Sequence, residues 1–281
     1  MDYAHKVKQL QDQVGDKVKI VMRVYSAKPR STTWRKGIER SWEPGCESTP
    51  NESLHFTRNL LLKIAELWIP IANELLYPEN TPYIDDLVSY GAIGSRSSLN
   101  QGHRELASGM NFPIGVKNPL GEDLKGCADS IEAINHAQEI VYDGNHWETQ
   151  GNPDAHVVLR GNNINGISKK NYGPQTIKEL KDILTTRGLN HKLIIDLNHD
   201  NSGKDWLKQP ANLEEVLAQK DNDIVGFMVE SYLNDGNQKD TLPQEKIIHG
   251  TSLTDSCLWR EKTEKLILDM HKFLTLEDSK N

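Results

Sequence analysis

Residues 156–197 read HVVLRGNNINGISKKNYGPQTIKELKDILTTRGLNHKLIIDL, a stretch in which two short apolar runs flank a helical pattern. The runs at 156–161 and 192–197 are rich in Val, Ile and Leu and almost continuously hydrophobic, as parallel strands are when both faces of the sheet are covered. Between them, residues 176–186 have the apolar spacing of a helix. The stretch therefore predicts a strand, a helix and a second strand in succession, which is typical of α/β folds.

The same alternation extends along the whole chain. Seven apolar runs predict strands at residues 19–25, 69–76, 87–94, 112–117, 156–161, 192–197 and 223–230. Helical patterns lie between these runs, at residues 51–67, 101–110, 127–137, 176–186 and 213–220. Asn51 is a candidate N-cap for the first of these helices. Residues 140–155, which include Trp147, interrupt the alternation and predict an extra hairpin.

Alternating strands and helices over 281 residues indicate either a doubly wound sheet or a (β/α)8 TIM barrel. A nucleotide-binding sheet is disfavoured because the sequence contains neither GxGxxG nor GxxxxGK[ST]. We therefore expect one barrel domain spanning residues 1–281. In such a barrel the carboxyl ends of the strands meet at one face, where the loops build the active site.

Composition and charge restrict the class of protein. The net charge of -7 argues against general nucleic-acid binding, although residues 17–38 carry seven basic residues and no acidic one. No uncharged apolar run approaches the length of a membrane span, and the amino terminus has no signal-peptide pattern. The three cysteines, Cys46, Cys127 and Cys257, form no CxxC motif. We therefore expect free thiols, no membrane partner and a cytoplasmic location.

Cationic side chains follow most of the predicted strands. If they converge at one face, they form a pocket for more than one phosphate or carboxylate, because guanidinium groups bind planar oxyanions and lysine acts as a point charge. The cations would repel one another without anions, which favours a multiply anionic substrate. For each residue alone, a surface salt bridge is the simpler interpretation. The residues concerned are Arg23, Lys28, Arg30, Arg96, Lys117 and Arg160.

A second group of polar residues consists of His199, Glu230 and Asp255. One imidazole and two carboxylates suit Mn, Fe, Co or Zn, and such a metal would polarise a carbonyl oxygen. Their spacing is no recognised short motif, so an ordinary hydrogen-bonded histidine with two solvated acids remains the alternative. The metal site is favoured because His199 and Glu230 follow neighbouring predicted strands.

Eight stretches between residue 21 and residue 264 occur in the order typical of one known family. These stretches are VMRVYSAKPRS (21–31), SYGAIGSR (89–96), QGHRELASG (101–109), PIGVKN (113–118), QGNPDAHVVLRG (150–161), IIDLNHDNSGK (194–204), GFMVESYLNDGNQ (226–238) and GTSLTDSCLWREKTE (250–264). Together they resemble the class I alpha form of 3-deoxy-D-arabino-heptulosonate 7-phosphate (DAHP) synthase.

The resemblance implies an aldol-like condensation of phosphoenolpyruvate with erythrose 4-phosphate, a step in aromatic amino acid biosynthesis. It implies a divalent metal held by His199, Glu230 and Asp255. For this reaction we expect Lys28 and His199 to be catalytic, with Lys28 donating a proton to the developing alkoxide. Phosphoenolpyruvate is then expected to bind at Arg23, Arg96, Lys117 and Arg160 and at the backbone near Glu74 and Ser95. The phosphate of the aldehyde is expected to bind at Lys28, Arg30 and Ser31.

The family's fourth metal ligand is a cysteine in a GPCS-type segment at the end of its first barrel strand, and this sequence begins just after that point. We therefore interpret the seven predicted strands as strands 2–8 of the barrel. A late start of the sequence, a strand from a partner chain or a second protomer, and loss of activity are the three explanations. We expect a homo-oligomer or a partner chain that supplies the strand.

The sequence departs from the family pattern in segments that are expected to lie near the substrates, as in GSRSSLN (94–100) and KNPLGE (117–122). They affect the aldehyde pocket more than the phosphoenolpyruvate pocket. Three hypotheses follow. The protein condenses phosphoenolpyruvate with erythrose 4-phosphate, or it uses a different aldehyde, or it is a non-catalytic or partner-dependent subunit with a degraded metal site.

Overall fold

A computed structural model of the protein describes residues 1–29, 37–39 and 48–279. These residues contain the strands β1 (Met22–Arg23), β2 (Ile71–Glu74), β3 (Tyr90–Ile93), β4 (Ile114–Lys117), β5 (Glu139–Tyr142), β6 (Asn145–Glu148), β7 (His156–Leu159), β8 (Asn162–Ile164), β9 (Ile167–Lys169), β10 (Leu193–Asp196), β11 (Ile224–Met228), β12 (Ser231–Tyr232) and β13 (Leu258–Trp259).

Seven of these strands form one parallel sheet in the order β1-β2-β3-β4-β7-β10-β11, which is also their order along the chain. The seven predicted strands are confirmed. Every residue of β4 and β7, in the middle of the sheet, is buried. This burial explains why the two strands, apart from Lys117 and His156 at their ends, are apolar rather than alternating.

Helices connect successive strands and cover the sheet. They are α1 (Asp2–Val14), α2 (Pro50–Ala65), α3 (Gln101–Ser108), α4 (Leu124–Asn135), α5 (Pro174–Thr186), α6 (His199–Ser202), α7 (Gln209–Leu217) and α8 (Arg260–Asp278). Short 3-10 turns lie at Pro78–Tyr83, Asp85–Leu87, Trp206–Lys208 and Gln244–Lys246. The large core contains the buried apolar residues of α4 and α5 and the inner strands, with Ile131, Leu180 and Leu193 fully buried.

The start of α2 corrects one sequence prediction. The N-cap is Thr49 rather than Asn51, because Thr49 Oγ1 accepts from the Glu52 amide while the Glu52 carboxylate accepts from the Thr49 amide. This reciprocal capping box places Pro50 at the first helical position, where its missing N–H costs nothing. Helix α4 likewise begins three residues earlier than predicted because Asp123 caps it.

Two antiparallel hairpins lie in the segments that connect strands of the sheet. Strands β5 and β6 pair antiparallel and confirm the predicted excursion, with the Trp147 ring 4.8 Å from the Tyr142 ring. Strands β8 and β9 form a second hairpin between β7 and α5, which the sequence pattern did not predict.

The sheet is curled, and its first and last strands approach each other at their carboxyl ends. Arg23 at the end of β1 donates from Nη1 to the Val229 carbonyl at 3.3 Å and to Glu230 Oε1 at 2.9 Å, directly after β11. One side chain therefore spans the two edges. The result is the curled parallel sheet of a (β/α)8 barrel with seven strands, as the sequence predicted.

The boundary between β1 and β11, which we call the seam, is less well covered than the rest of the sheet. Within the described residues β1 pairs only with β2, and β11 only with β10. Val225 of β11 is 58% exposed, in contrast to the buried residues of the inner strands. Edge strands with exposed apolar side chains are places where further strands can pair.

Helix α1 joins the two sides of the seam from the outside. Its residues Ala4 and Val7 pack with Leu61 and Ile64 of α2, whereas Leu10 and Val14 pack towards α8. At the amino end of α1, Tyr3 Oη donates to Ser231 Oγ at 2.7 Å.

Among the described residues, no helix is both long and apolar enough to cross a membrane. Cys127 and Cys257 are free and buried, and Cys46 lies outside the described residues. The cytoplasmic location and the single domain over residues 1–281 stay predictions.

Gly115 in β4 provides a test of the sheet packing. A Cβ at this position would lie 1.9 Å from Tyr90 Oη and 2.8 Å from Val158 Cγ2. Tyr90 Oη is also hydrogen-bonded to His156 Nε2 at 2.9 Å. We expect Gly115→Ala to lower the free energy of unfolding by about 1–3 kcal/mol in urea titrations, because the core is overpacked and this hydrogen bond is disturbed. Gly121→Ala, where a Cβ meets no atom within 4 Å, is the control and should stay within about 0.5 kcal/mol.

Candidate active site

The carboxyl ends of the sheet strands bring together side chains that are far apart in the sequence. Arg23 ends β1, Lys117 ends β4, Asp196 ends β10 and Glu230 follows β11. Arg160 follows β7 directly. This convergence was predicted from the barrel topology, and it forms the candidate active site.

His199, Glu230 and Asp255 lie together at this end of the sheet. His199 Nε2 is 3.9 Å from Glu230 Oε1 and 3.6 Å from Asp255 Oδ2. One ligand atom from each residue lies within 4.8 Å of the others, and these three form the one such group within the described part of the chain. One imidazole nitrogen and two carboxylate oxygens are donors that suit a divalent transition metal.

The His199 ring is oriented by Asp196. Its Nδ1 lies 2.8 Å from Asp196 Oδ2, close enough for an ion pair although the angle falls short of hydrogen-bond geometry. Burial lowers the pKa of His199, but the carboxylates of the fully buried Asp196 and of Asp255 together raise it, and the net shift is upward. With Nδ1 facing Asp196, Nε2 is the nitrogen that faces the other two ligands.

The backbone at His199 is strained. Its φ of 43° places it in the left-handed region, which residues other than glycine rarely adopt. Such strain persists where the surrounding contacts fix the local conformation. Here Asp200 and Asn201 donate their backbone N–H groups to the Arg160 carbonyl at 3.1 and 3.2 Å, which fixes the turn.

The position of Glu230 is fixed by a buried amide on α7. Gln209 Nε2 donates to the Glu230 carbonyl at 3.0 Å, and Gln209 Oε1 accepts from the Glu230 amide at 2.8 Å. The Glu230 carboxylate then meets Arg23. Burial raises the pKa of Glu230, but the charges of Arg23 and His199 lower it by more, so that the group is held ionised.

Three of the predicted anion-binding cations already have carboxylate partners. Arg23 pairs with Glu230 at 2.9 Å, Lys117 Nζ lies 3.1 Å from Asp196 Oδ2, and Arg160 donates to Asp200. The expected mutual repulsion of the cations is therefore relieved within the protein. Their convergence does not by itself require an anionic substrate.

Lys28 lies close to this cluster and is half-buried. Burial lowers its pKa, and the carboxylate of Glu230 offsets only part of that shift. A lysine with a lowered pKa gives up its proton more readily than a solvated one.

The remaining predicted residues differ in their placement. Arg96 is exposed on the turn after β3, and Ser95 is half-buried beside it. The Glu74 carboxylate covers Gly94, because a Cβ there would lie 2.4 Å from Glu74 Oε1. Arg30 and Ser31 lie outside the described residues.

Cys257 lies close to Asp255 in sequence, but its thiol is not one of the three proposed metal ligands. Its Sγ donates to the Asp255 carbonyl at 3.3 Å, and burial raises the pKa of the thiol to about 12. Metal coordination needs the thiolate, so this position is unfavourable for a ligand.

Comparison with known proteins identifies the family. The sequence profile of the DAHP synthetase I family matches residues 1–267. The chain belongs to this family. It is 36% identical over 286 residues to the phospho-2-dehydro-3-deoxyheptonate aldolase, Tyr-sensitive, of Escherichia coli, covering 98% of this chain and 78% of the relative.

Two further matches agree. The Phe-sensitive aldolase of the same name from Escherichia coli is 36% identical over 275 residues, covering 95% of this chain and 77% of the relative. The structure of phospho-2-dehydro-3-deoxyheptonate aldolase from Francisella tularensis superposes with a TM-score of 0.90 at 32% identity, covering 98% of this chain and 81% of that one. The relatives are named as aldolases, and the chain is accordingly a member of an enzyme family.

Several residues that shape the site were not singled out from the sequence. Asp200 and Gln209 carry no motif of their own, and Asp196 lies within the predicted strand at residues 192–197. Asp196 and Asp200 could have been recognised by their positions, because they lie on either side of His199 at the end of a predicted strand. Gln209 had no such signal because it lies on a helix and reaches Glu230 only in the folded chain.

Gln209 provides a test of how Glu230 is positioned. We expect Gln209→Ala to lower the free energy of unfolding by about 1–3 kcal/mol, because it leaves the backbone N–H and C=O of Glu230 without this buried partner. It should also weaken Mn²⁺ binding by about 10–100-fold in calorimetric titrations.

The matched control is Gln219→Ala, which removes a similar amide that donates to the Tyr172 carbonyl at 3.0 Å, away from the site. That variant should lose stability without losing Mn²⁺ affinity. Equal losses of affinity in both variants would contradict a positioning role for Gln209.

Proposed function

We propose that the protein condenses phosphoenolpyruvate and erythrose 4-phosphate, with water, to DAHP and inorganic phosphate. The observation that carries the proposal is the meeting of His199, Glu230 and Asp255 with Arg23, Lys28 and Lys117 at one end of the sheet, in a chain of the DAHP synthetase I family. The product is a precursor of chorismate and the aromatic amino acids.

A divalent ion, Mn, Fe, Co or Zn, is held in this proposal by His199 Nε2 and the carboxylates of Glu230 and Asp255. The donor set fits, because Arg23, Asp196 and Gln209 already orient two of the three ligands. When bound, the ion polarises the carbonyl oxygen of the aldehyde.

The cations at the strand ends bind the donor substrate. Lys117 and Arg160 are almost completely buried, so their charges act through little solvent, and Arg23 contacts the proposed metal ligand Glu230. Arg96, on its exposed turn, and the backbone near Glu74 and Ser95 are proposed to hold the phosphate. These contacts orient C3 of phosphoenolpyruvate towards the aldehyde carbon.

Lys28 supplies the proton that the new alkoxide takes up. C3 attacks the aldehyde carbon, water adds at C2, and the C2–O bond to phosphate breaks. Arg30 and Ser31 are proposed to hold the phosphate of the aldehyde.

Phosphate release is the direct test of the function. Purified full-length protein with Mn²⁺ should release phosphate from phosphoenolpyruvate only when erythrose 4-phosphate is added, and DAHP should form in equal amount. Phosphate release with another aldose and not with erythrose 4-phosphate would show that the protein uses a different acceptor aldehyde. No release with any member of an aldehyde panel would favour the non-catalytic subunit.

Lys28 should give the reaction a characteristic pH dependence. The acid must be protonated, so kcat should fall as the pH rises through the lowered pKa of Lys28. Lys28→Met should reduce kcat by about 100-fold or more and abolish that limb of the profile. A variant that keeps the limb would show that another group donates the proton.

His199 tests the metal site independently of turnover. We expect His199→Ala to lose stoichiometric Mn²⁺ in elemental analysis after gel filtration, because one of three protein ligands is removed. His146→Ala, which changes an exposed histidine of β6, should retain it. Retention of the metal by His199→Ala would place the ion elsewhere.

The seam is proposed to take a parallel strand from a second polypeptide, so that the enzyme works as an assembly. The exposed Val225 supports this proposal, as do the edges of β1 and β11, which pair with no further strand among the residues that the structure describes. Native mass spectrometry should detect the assembly, and Val225→Lys should dissociate it because a charge at a strand edge opposes pairing. A protein that is monomeric at micromolar concentration and turns over alone would contradict the proposal.

A further inference from the structure

Arg160 is held by a carboxylate that takes no part in the metal group. Arg160 Nη1 donates to Asp200 Oδ2, and both side chains are almost completely buried. The Arg160 backbone is fixed as well, because its N–H donates to Asn118 Oδ1 at 2.8 Å. The charge of this arginine is therefore compensated in a fixed geometry before any substrate arrives.

The second oxygen of Asp200 is bound to the β8–β9 hairpin. Asp200 Oδ1 accepts from Ser168 Oγ at 2.6 Å and from Asn163 Nδ2 at 3.1 Å. With Arg160 on the other oxygen, the carboxylate has three donors from two segments of chain. Such a group does not move away easily when an anion approaches.

Asp200 differs in its partners from Glu230 and Asp196, the other two buried carboxylates that pair with cations of the site. Glu230 is a proposed metal ligand, and Asp196 contacts both Lys117 and His199. In the described residues, the one ion pair of Asp200 is with Arg160. A change at Asp200 therefore alters the charge around Arg160 without removing a metal ligand or the partner of His199.

We propose that Asp200 is a resident counter-ion that sets the affinity of the Arg160 pocket for the carboxylate or phosphate of the donor substrate. The inference rests on the proposed role of Arg160 in binding phosphoenolpyruvate. A substrate anion at this guanidinium meets the fixed negative charge of Asp200 within a few ångströms, in a poorly solvated place, where like charges oppose each other most strongly. Asp200 thus holds Arg160 in position and lowers the affinity for the anion.

Asp200→Asn tests this directly, because the amide has nearly the volume of the carboxylate, and its oxygen can still accept from Ser168 and Asn163. Calorimetric titration of the Mn²⁺-loaded, full-length protein should show phosphoenolpyruvate binding about tenfold tighter than in the wild type. Inorganic phosphate, as a second probe, should change in the same direction. The control Asp182→Asn removes an exposed charge of α5 and should leave both affinities unchanged.

Equal or weaker binding of phosphoenolpyruvate by Asp200→Asn would overturn the inference while leaving the proposed function intact. Absence of binding by the wild type would overturn both. If Asp200→Asn does not fold, Asp200→Ser takes its place, because it removes the same charge and keeps a hydroxyl at this position. It should also tighten the binding of phosphoenolpyruvate, and an unchanged affinity would overturn the inference.

Discussion

The contact between Arg23 and Glu230 joins the architecture of this protein to its site. Arg23 stands at the end of the first strand and Glu230 just beyond the last, so their 2.9 Å ion pair connects the two edges of the curled sheet. The same carboxylate is one of three side chains that can hold a metal. Since both partners are largely buried, removing either would leave an uncompensated charge in poorly solvated surroundings. One interaction therefore contributes both to the contact between the two edges of the sheet and to the position of a proposed metal ligand.

Pairing with carboxylates explains how three buried cations can lie close together in the fold. Arg23, Lys117 and Arg160 have their partners in Glu230, Asp196 and Asp200. A divalent ion at the metal group would add two positive charges to this balanced arrangement. The site would then favour anions, which makes metal loading and substrate binding electrostatically linked.

Much of this architecture could be predicted from the sequence, because the decisive signals are local. Seven apolar runs gave seven strands, and polar residues after them converge since parallel strands end at one face. The carboxylate partners of the cations were not predicted, and neither were the two hydrogen bonds from Gln209 to the backbone of Glu230. Both depend on which segments meet in the folded chain. The capping box at Thr49 has a local signal, because Thr49 is followed three residues later by Glu52. The sequence prediction nevertheless placed the N-cap at Asn51.

The proposed function depends on His199, Glu230 and Asp255 holding one divalent ion beside the paired cations. Anomalous diffraction from crystals grown with Mn²⁺ and phosphoenolpyruvate, collected above and below the Mn absorption edge, tests it most directly. We expect one strong Mn peak within coordination distance of His199 Nε2 and both carboxylates, with the donor substrate against Arg23 and Lys117. A Mn peak elsewhere on the protein, or none at these three residues at saturating Mn²⁺, would contradict it.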